Sequence, residues 1–382
     1  MADMLDRIPP RPTALHVGQL NLPNWDWFEA EFRNVFERDL FASRGPLQER
    51  LEAALADYLG VRHVICVVNA TVALTLTARA LDLRGDVLVP SFTFAATAQA
   101  LNWAGLNPVF CDVESETHNL SPRLVERHMT KATSGVLAVH LWGRACDVAG
   151  LDAVAKKYGL ALFFDSAHAV GCTYNGTRIG GFGEAEIFSF HATKVLNGAE
   201  GGCIATNNDE TAAKLRTMLS VRADQAVGSP LLRINGRMSE AQAAMALLSF
   251  EHLPANIEAN RKRYELYRAR LDDIEGLEFI DHAGNEASNF QYVVIRVADS
   301  SPIARNDILK ALESKNIFAR DYFSPPIHRM PFYRDAPHLT LPVTDLLASS
   351  LIQLPTGQAV SEHDVEAVCE ILSVLMRGHK RT

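Results

Sequence analysis

One lysine, Lys194, stands between a run of alternating aromatic and polar residues and a glycine pair, in the stretch FSFHATKVLNGAEGG (residues 188–202). A lysine that only faces solvent does not need such a setting. Its amine is a nucleophile toward a carbonyl carbon, and that reaction gives a Schiff base. Ser189 and His191 are two residues apart, so on a strand their side chains share one face. The glycines permit a tight return of the chain or a close approach to a ligand.

Two further stretches follow runs that are typical of strands. In VVNATVAL (residues 67–74) a strand passes into a helix, whose first amides and dipole can bind an anion. Asn69 and Thr71 are equally suited to simple helix capping. In PSFTFAAT (residues 90–97) Phe94 lies in the loop after a strand, where its ring could stack on a flat ligand or belong to the core. Neither stretch, taken alone, distinguishes a ligand-binding role from a structural one.

The stretch LFFDSAHAVG (residues 162–171) ends an apolar strand with Asp165. A carboxylate is costly to bury unless it is paired, and a protonated ring nitrogen would pair it. A helix cap or a nearby histidine such as His168 would also satisfy it. Taken with Lys194, the sequence offers an anion site, a stacking ring, a partner for a ring nitrogen and an amine. These are the four needs of pyridoxal phosphate.

Alternating strands and helices must position these residues. Near-continuous apolar strands predict an α/β fold with a mostly parallel sheet covered on both faces, which binds ligands at the carboxyl ends of its strands. The predicted strands are His63–Val68, Asp86–Pro90, Pro108–Val113, Val136–Leu141, Leu160–Asp165, Ile187–Phe190 and Cys203–Thr206. The helices predicted between them include Thr71–Leu83 and Val148–Tyr158.

The C-terminal part has a different pattern. A long helical region is predicted from Ser239 to Leu271, as a connector. Strands at Gly276–Phe279, Gln291–Val297 and Phe318–Asp321 and helices at Ile308–Lys315 and His363–Met376 then form a smaller α+β unit. We therefore predict a large domain over residues 1–250, which includes the N-terminal segment, and a small domain over residues 251–382.

Composition limits the class of protein. The net charge of -8 argues against a general binder of nucleic acid or membranes. The six cysteines are scattered, without zinc spacing, which predicts buried reduced thiols and no metal site. The sequence shows neither a signal core nor an apolar run that could span a bilayer, so the expected location is the cytoplasm.

With these residues laid out, the chain resembles the DegT/StrS family of sugar aminotransferases, in fold-type I of the pyridoxal-phosphate enzymes. The resemblance covers almost the whole chain. It is carried by FASRGPLQERLEAALADYLGV, PSFTFAATAQA, PVFCDVESETHNL, VHLWGRACD, DSAHAVG, FSFHATK with its EGG, INGRMSEAQAAM and LIQLPTG. Within the family, VHLWGRAC, VVNAT and FSFHATK are most similar to the 4-aminotransferases of the viosamine and desosamine pathways.

The resemblance implies a role for each cofactor-side residue. Lys194 matches the Schiff-base lysine, and Asp165 matches the partner of the pyridinium nitrogen. His168 matches a position near the cofactor's ring hydroxyl, and Phe94 matches the ring-stacking aromatic. Phosphate contacts are implied for Ala70, Thr71 and Ser189. The family's Ser-Gly-Thr phosphate motif is Asn-Ala-Thr here, but an alanine amide can still bind phosphate.

The resemblance also implies groups outside the cofactor site. Asn235 matches an asparagine that reaches the phosphate of a neighbouring subunit, which implies a homodimer with shared active sites. Residues on the sugar-nucleotide side are implied at Arg237, Tyr322 and His328. A second departure from the family is Ala199, which replaces the glycine before Glu-Gly-Gly.

The implied activity is amine transfer from glutamate to the C-4 ketone of a nucleotide-linked 4-keto-6-deoxyhexose, dTDP-4-dehydro-6-deoxyglucose, with pyridoxamine phosphate formed in the half-reaction. Two alternatives stay open: a 3-aminotransferase for 3-keto sugar nucleotides, and a non-catalytic regulator that binds the cofactor. Lys194 argues against the related 3-dehydratases, which carry histidine there. A nicotinamide dehydrogenase is not favoured, since no GxGxxG opens a helix and the glycines of residues 180–183 precede a strand.

Overall fold

The structure is a computed structural model that describes residues 5, 8–18, 20–39, 41, 45–220, 233–282, 287–333 and 339–378. Its strands are β1 (Leu15–His16), β2 (His63–Val67), β3 (Asp86–Pro90), β4 (Asn107–Cys111), β5 (Thr133–Val139), β6 (Ala161–Asp165), β7 (Thr173–Tyr174), β8 (Thr177–Arg178), β9 (Ala185–Ser189), β10 (Gly202–Thr206), β11 (Leu277–Phe279), β12 (Val293–Val297), β13 (Ile317–Phe318) and β14 (Leu351–Leu354).

Its helices are α1 (Trp25–Glu37), α2 (Pro46–Leu59), α3 (Ala70–Ala80), α4 (Ala95–Trp103), α5 (Pro122–His128), α6 (Val148–Tyr158), α7 (Asp209–Leu219), α8 (Glu240–Glu251), α9 (Leu253–Leu271), α10 (Arg305–Glu313), α11 (Pro342–Ser350) and α12 (Glu362–Gly378). Short 3-10 helices cover Leu141–Gly143 and Ile327–Arg329.

The central sheet has seven strands in the order β2-β10-β9-β6-β5-β3-β4. The strands β9, β6, β5, β3 and β4 pair in parallel, and β10 is antiparallel to both of its neighbours. The prediction of an α/β fold with a mostly parallel sheet is therefore confirmed. The carboxyl ends of β2, β3, β6 and β9 meet at one edge, where β10 begins.

Helices cover both faces of this sheet. Successive side chains of a strand point to opposite faces, so neighbouring residues pack against different helices. Val87 and Val89 of β3 belong to a hydrophobic cluster formed with α3, α4 and α7. Leu88, between them, belongs to the cluster beneath α5 and α6. Helices α2 and α8 pack over the end of the sheet that contains β2 and β10. All six cysteines are buried and unpaired with one another, as the sequence predicts.

The C-terminal part has its own three-stranded antiparallel sheet, β11-β12-β14, which shares a cluster with α9, α10 and α12. The predicted helical region from Ser239 to Leu271 is two helices, because Pro254 lies in the first turn of α9, where its missing amide costs nothing. The prediction of a strand at Phe318–Asp321 is wrong in extent, since β13 ends at Phe318. It pairs in parallel with β1. The domain boundary at residue 250 stays a prediction.

Among the described residues, no helix is long and apolar enough to cross a membrane. In the same part of the chain, no group of three or more His, Cys, Asp or Glu side chains could hold a metal ion.

Candidate active site

A cavity of about 400 Å³ opens at the edge where the parallel strands end. The last residues of β5, β6 and β9 and the start of α3 contribute to its wall, together with the chain that follows β3, β6 and β9. The predicted site residues that line it are Ala70, Thr71, Phe94, Asp165, His168, Ser189, Lys194 and Tyr322. The structure thus brings together, in one cavity, residues that are up to 252 positions apart in the chain (322 − 70).

Lys194 follows β9 in a turn that is closed by a bond from its backbone amide to the carbonyl of His191 (2.8 Å). Its Nζ donates a hydrogen bond to the Tyr292 hydroxyl (3.0 Å). Shielding from water lowers the pKa of Lys194 to about 8, against the attraction of Asp165 and Tyr322, which raises it. A substantial fraction of the amine is therefore neutral, and nucleophilic, near pH 8.

Asp165 is the last residue of β6, and its carboxylate is buried. Thr97 donates to Oδ2 (2.8 Å) and the Ala167 amide donates to Oδ1 (3.1 Å). Burial raises the pKa of Asp165, while these two bonds and the charge of Lys194 oppose the shift. Sequence reasoning missed Thr97. Its signal in the sequence is its place in the first turn of the helix that follows Phe94.

His168 lines the cavity as a neutral imidazole. Its Nδ1 accepts the backbone amide of Trp142 (3.3 Å), so the ring proton is assigned to Nε2. Burial, and then the charge of Lys194, lower its pKa well below the usual range. The ring packs against Tyr292, with the ring centroids 4.4 Å apart. His168 can therefore donate one hydrogen bond from Nε2 near neutral pH without adding charge.

The start of α3 forms another wall. Asn69 caps it, since its side-chain oxygen accepts the amide of Val72 (2.9 Å). Both interpretations of this stretch are therefore compatible, because the first amides of a helix have no acceptor inside it and those of Ala70 and Thr71 lie at the cavity. A Cβ at Gly202 would lie 2.9 Å from the Ala70 nitrogen, so only glycine lets β10 pass this close. The glycine serves a close approach of backbone to backbone.

Other parts of the site differ from the simple strand picture. Phe190 and His191 lie beyond the end of β9, and His191 is exposed. Ala199 has a φ of 62°, in the left-handed region. Glycine, the family's residue at this position, adopts this conformation without strain, whereas for alanine it costs about 1 kcal/mol of conformational free energy. Phe94 is 58% exposed at the start of α4, so its ring is open to a ligand and is not part of the core.

Three predicted residues do not line the cavity of this single chain. His328 is buried elsewhere, with Nδ1 2.7 Å from the Ser91 hydroxyl and Nε2 3.3 Å from Asp345. Asn235 is exposed and accepts a hydrogen bond from Arg237 (3.3 Å). The segment that contains Asn235 and Arg237 pairs with the end of β2 through a bridge between Val67 and Arg237. The roles of these three residues stay predictions.

Sequence reasoning missed the wall that comes from distant segments. Residues just before β12 reach the lysine, and the chain after β1 lies over Thr193, where a Cβ at Gly18 would be 3.2 Å from Thr193 Cγ2. The unpredicted lining residues include Val17, Gly18, Gln291, Tyr292, Phe323 and Gln353. None of them follows a strand of the central sheet, which is the signal that identifies the others.

Comparisons with known proteins agree with the geometry. The DegT/DnrJ/EryC1/StrS aminotransferase family matches residues 26–373. The chain is similar to the dTDP-4-amino-4,6-dideoxy-D-glucose transaminase of Shigella dysenteriae, with 33% identity over 82% of this chain and 85% of the relative. It is also similar to the dTDP-3-amino-3,6-dideoxy-alpha-D-galactopyranose transaminase of Aneurinibacillus thermoaerophilus, with 29% identity over 94% of this chain and 98% of the relative.

Among solved structures, the crystal structure of DesI in the presence of its TDP-sugar product matches with a TM-score of 0.94. The two chains are 38% identical, and the match covers 99% of this chain and 97% of that one. The match to the family model spans most of the sequence and includes every residue that lines the cavity except Val17 and Gly18. The chain belongs to the DegT/DnrJ/EryC1/StrS aminotransferase family.

Proposed function

We propose that this protein transfers an amino group from glutamate to the C-4 ketone of a nucleotide-linked 4-keto-6-deoxyhexose, dTDP-4-dehydro-6-deoxyglucose, with pyridoxal phosphate as its cofactor. The observation that carries the proposal is the cavity itself. It joins the amine of Lys194, the buried carboxylate of Asp165, the exposed ring of Phe94 and the start of α3. Each of these groups suits one part of pyridoxal phosphate.

The phosphate end fits the start of α3. The amides of Ala70 and Thr71 can donate to phosphate oxygens, and the helix dipole favours the negative charge. Ser189, at the end of β9, adds a hydroxyl to the same cavity. Glycine at position 202 leaves room for the Ala70 amide, since a Cβ there would lie 2.9 Å from its nitrogen.

The ring end fits Asp165 and His168. A protonated ring nitrogen would offset the cost of burying the Asp165 carboxylate, whose other partners are a hydroxyl and an amide. His168 can donate from Nε2 to a ring oxygen. When bound, pyridoxal phosphate accepts the electrons that the α-carbon of the amino donor releases. Asp165 supports this chemistry by holding the proton on the ring nitrogen.

Lys194 has two tasks in this proposal. Its neutral amine would hold the cofactor through the aldehyde carbon, with the aldehyde oxygen released as water, and a pKa of about 8 leaves part of the amine neutral for this. Once free, the same Nζ takes the proton from the α-carbon of the amino donor and returns it later as an acid. The cavity wall on the other side, which includes Tyr322 and the chain after β1, would then hold the sugar.

The position of amination rests on the relatives. Transfer to C-4 is supported by the Shigella relative, which is named for a 4-amino sugar nucleotide. A 3-aminotransferase is the second candidate, since the Aneurinibacillus relative is named for a 3-amino sugar nucleotide. The two reactions need the same groups around the cofactor and differ in how the sugar is held.

Product analysis by NMR separates these candidates. The protein would be incubated with pyridoxal phosphate, glutamate and dTDP-4-keto-6-deoxyglucose, and we expect nitrogen on carbon 4 of the hexose. Amination only of a 3-keto sugar nucleotide would support the second candidate. Cofactor binding without amine transfer to either class of sugar would contradict both and favour a regulator that binds the cofactor.

We also propose that the protein is a homodimer that shares its active sites, with Asn235 reaching the phosphate of the neighbouring subunit. The exposed amide of Asn235 supports this, since it lies outside the cavity of its own chain. Light scattering should give twice the chain mass of 42.0 kDa. Asn235→Ala should keep that mass and weaken cofactor binding about tenfold, as expected for one phosphate hydrogen bond. A monomeric active enzyme would refute the proposal.

A further inference from the structure

The amine of Lys194 makes one hydrogen bond within the described residues, to the hydroxyl of Tyr292 at 3.0 Å. Tyr292 lies just before β12 of the C-terminal sheet, so neither the strand pattern of the central sheet nor the proposed cofactor contacts account for it. The titratable side chains of the same cavity are Asp165, His168, His191, Glu200 and Tyr322. Tyr292 differs from them because its contact with the reactive nitrogen is direct.

Packing fixes the position of this hydroxyl. The buried Tyr292 ring packs against the ring of His168, at a centroid distance of 4.4 Å, and against that of Trp142, at 5.2 Å. Its neighbour Gln291 accepts the backbone amide of Val195 at 2.7 Å. Two consecutive residues before β12 therefore hold two consecutive residues of the lysine turn, one by the backbone and one by the side chain.

A phenol suits a lysine that changes its protonation state. Burial raises the pKa of Tyr292, so the phenol keeps its proton and carries no charge. A neutral hydroxyl can accept a hydrogen bond from an ammonium group and donate one to an amine. A carboxylate in its place would hold the ammonium form and raise the pKa of the lysine.

We propose that Tyr292 is a positioning residue for the reactive lysine. The Tyr292 hydroxyl holds the Nζ of Lys194 in one place, whether that nitrogen is an ammonium group or a neutral amine. The consequence for turnover rests on the proposed function. While Lys194 is bonded to neither cofactor nor substrate, the hydroxyl would keep its long side chain within reach of the proton that it must move. The bond would also stabilise the ammonium form, which partly offsets the effect of desolvation.

Tyr292→Phe removes this hydroxyl and keeps the ring that packs against Trp142 and His168. We expect kcat to fall about tenfold or more, with the KM for glutamate changed less than about twofold, because the loss falls on the proton-transfer step. A second readout needs no activity. Trace acetylation of the cofactor-free protein with acetic anhydride, followed by mass spectrometry across pH, reports the pKa of Lys194.

In the wild-type protein Lys194 should titrate at about 8. In Tyr292→Phe its pKa should fall by about one unit, since the ammonium form loses its hydrogen bond. The matched control is Tyr267→Phe, which removes another buried hydroxyl, bonded to the Pro355 carbonyl outside the cavity (2.9 Å). This control should change neither kcat nor the labelling profile.

An unchanged labelling profile in Tyr292→Phe would overturn the proposal, whatever happens to kcat, because a loss of rate alone would reflect packing. An equal shift in the Tyr267→Phe control would overturn it as well. Failure of the proposed function would look different: no sugar would be aminated by the wild-type protein, while the acetylation profiles would still report on the bond between Tyr292 and Lys194.

Discussion

Lys194→Ala should abolish amine transfer, with a loss of at least about 10⁴-fold in kcat. The variant removes the nucleophile that binds the cofactor and the base that moves the proton, and no other lysine lines the cavity within the described residues. Because Lys194 acts in more than one step, its contribution cannot be assigned to any single step. The rate of the variant should therefore fall close to the uncatalysed rate. Turnover would be measured by NMR detection of the aminated sugar.

The matched control is Lys156→Ala. Lys156 is exposed and pairs with Asp152 on the surface of α6, away from the cavity. An exposed pair of this kind contributes little, so activity and the melting temperature should change little. Absorbance of the bound cofactor gives a separate test, because Lys194→Ala should lose the covalent attachment even if it still binds the phosphate group. Amination at the normal rate by Lys194→Ala would rule out the role of this lysine.

The part of the site that could be predicted comes from one physical rule. In a parallel sheet the carboxyl ends of the strands meet at one edge, so the groups that follow them meet as well. Asp165 ends one predicted strand and Lys194 follows just past the end of another, which is enough to predict that the two lie near each other. Single strands were identified because their apolar runs are nearly continuous, as burial on both faces requires. Their ends differ by a few residues, since periodicity does not mark where pairing stops.

The part that could not be predicted depends on how distant segments pack. Tyr292 directly precedes β12 of the C-terminal sheet, and no local pattern shows which cavity the start of that strand faces. The backbone of Trp142 has a φ of 61°, which a bulky residue rarely adopts, so the turn that presents its amide to His168 gives no signal. His328 is held by Ser91 and Asp345, two side chains from separate segments, and its type alone could not reveal this environment.

Asp165→Asn is the second substitution with a large expected effect. The amide is close to the carboxylate in shape and can keep one bond to Thr97 and one to the Ala167 amide, but it has no charge with which to hold a proton on a ring nitrogen. We expect kcat/KM to fall at least about 100-fold, because the loss removes an electrostatic contribution to the transition state. The matched control is Asp152→Asn, the exposed partner of Lys156, which should leave kcat/KM unchanged.

The same substitution should not destabilise the cofactor-free protein, and this separates charge from packing. Burial raises the pKa of Asp165, so above that raised value the ionised carboxylate costs stability in the folded state. Asp165→Asn removes this cost, and its melting temperature at pH 7 should equal or exceed that of the wild type. As the pH falls through the raised pKa toward the ordinary value of aspartate, the wild-type side chain is protonated and the difference should vanish. A residue that is present for its charge at a reactive site is expected to lower the stability of the fold. A lower melting temperature of Asp165→Asn, together with lost activity, would instead mean that Asp165 stabilises the fold.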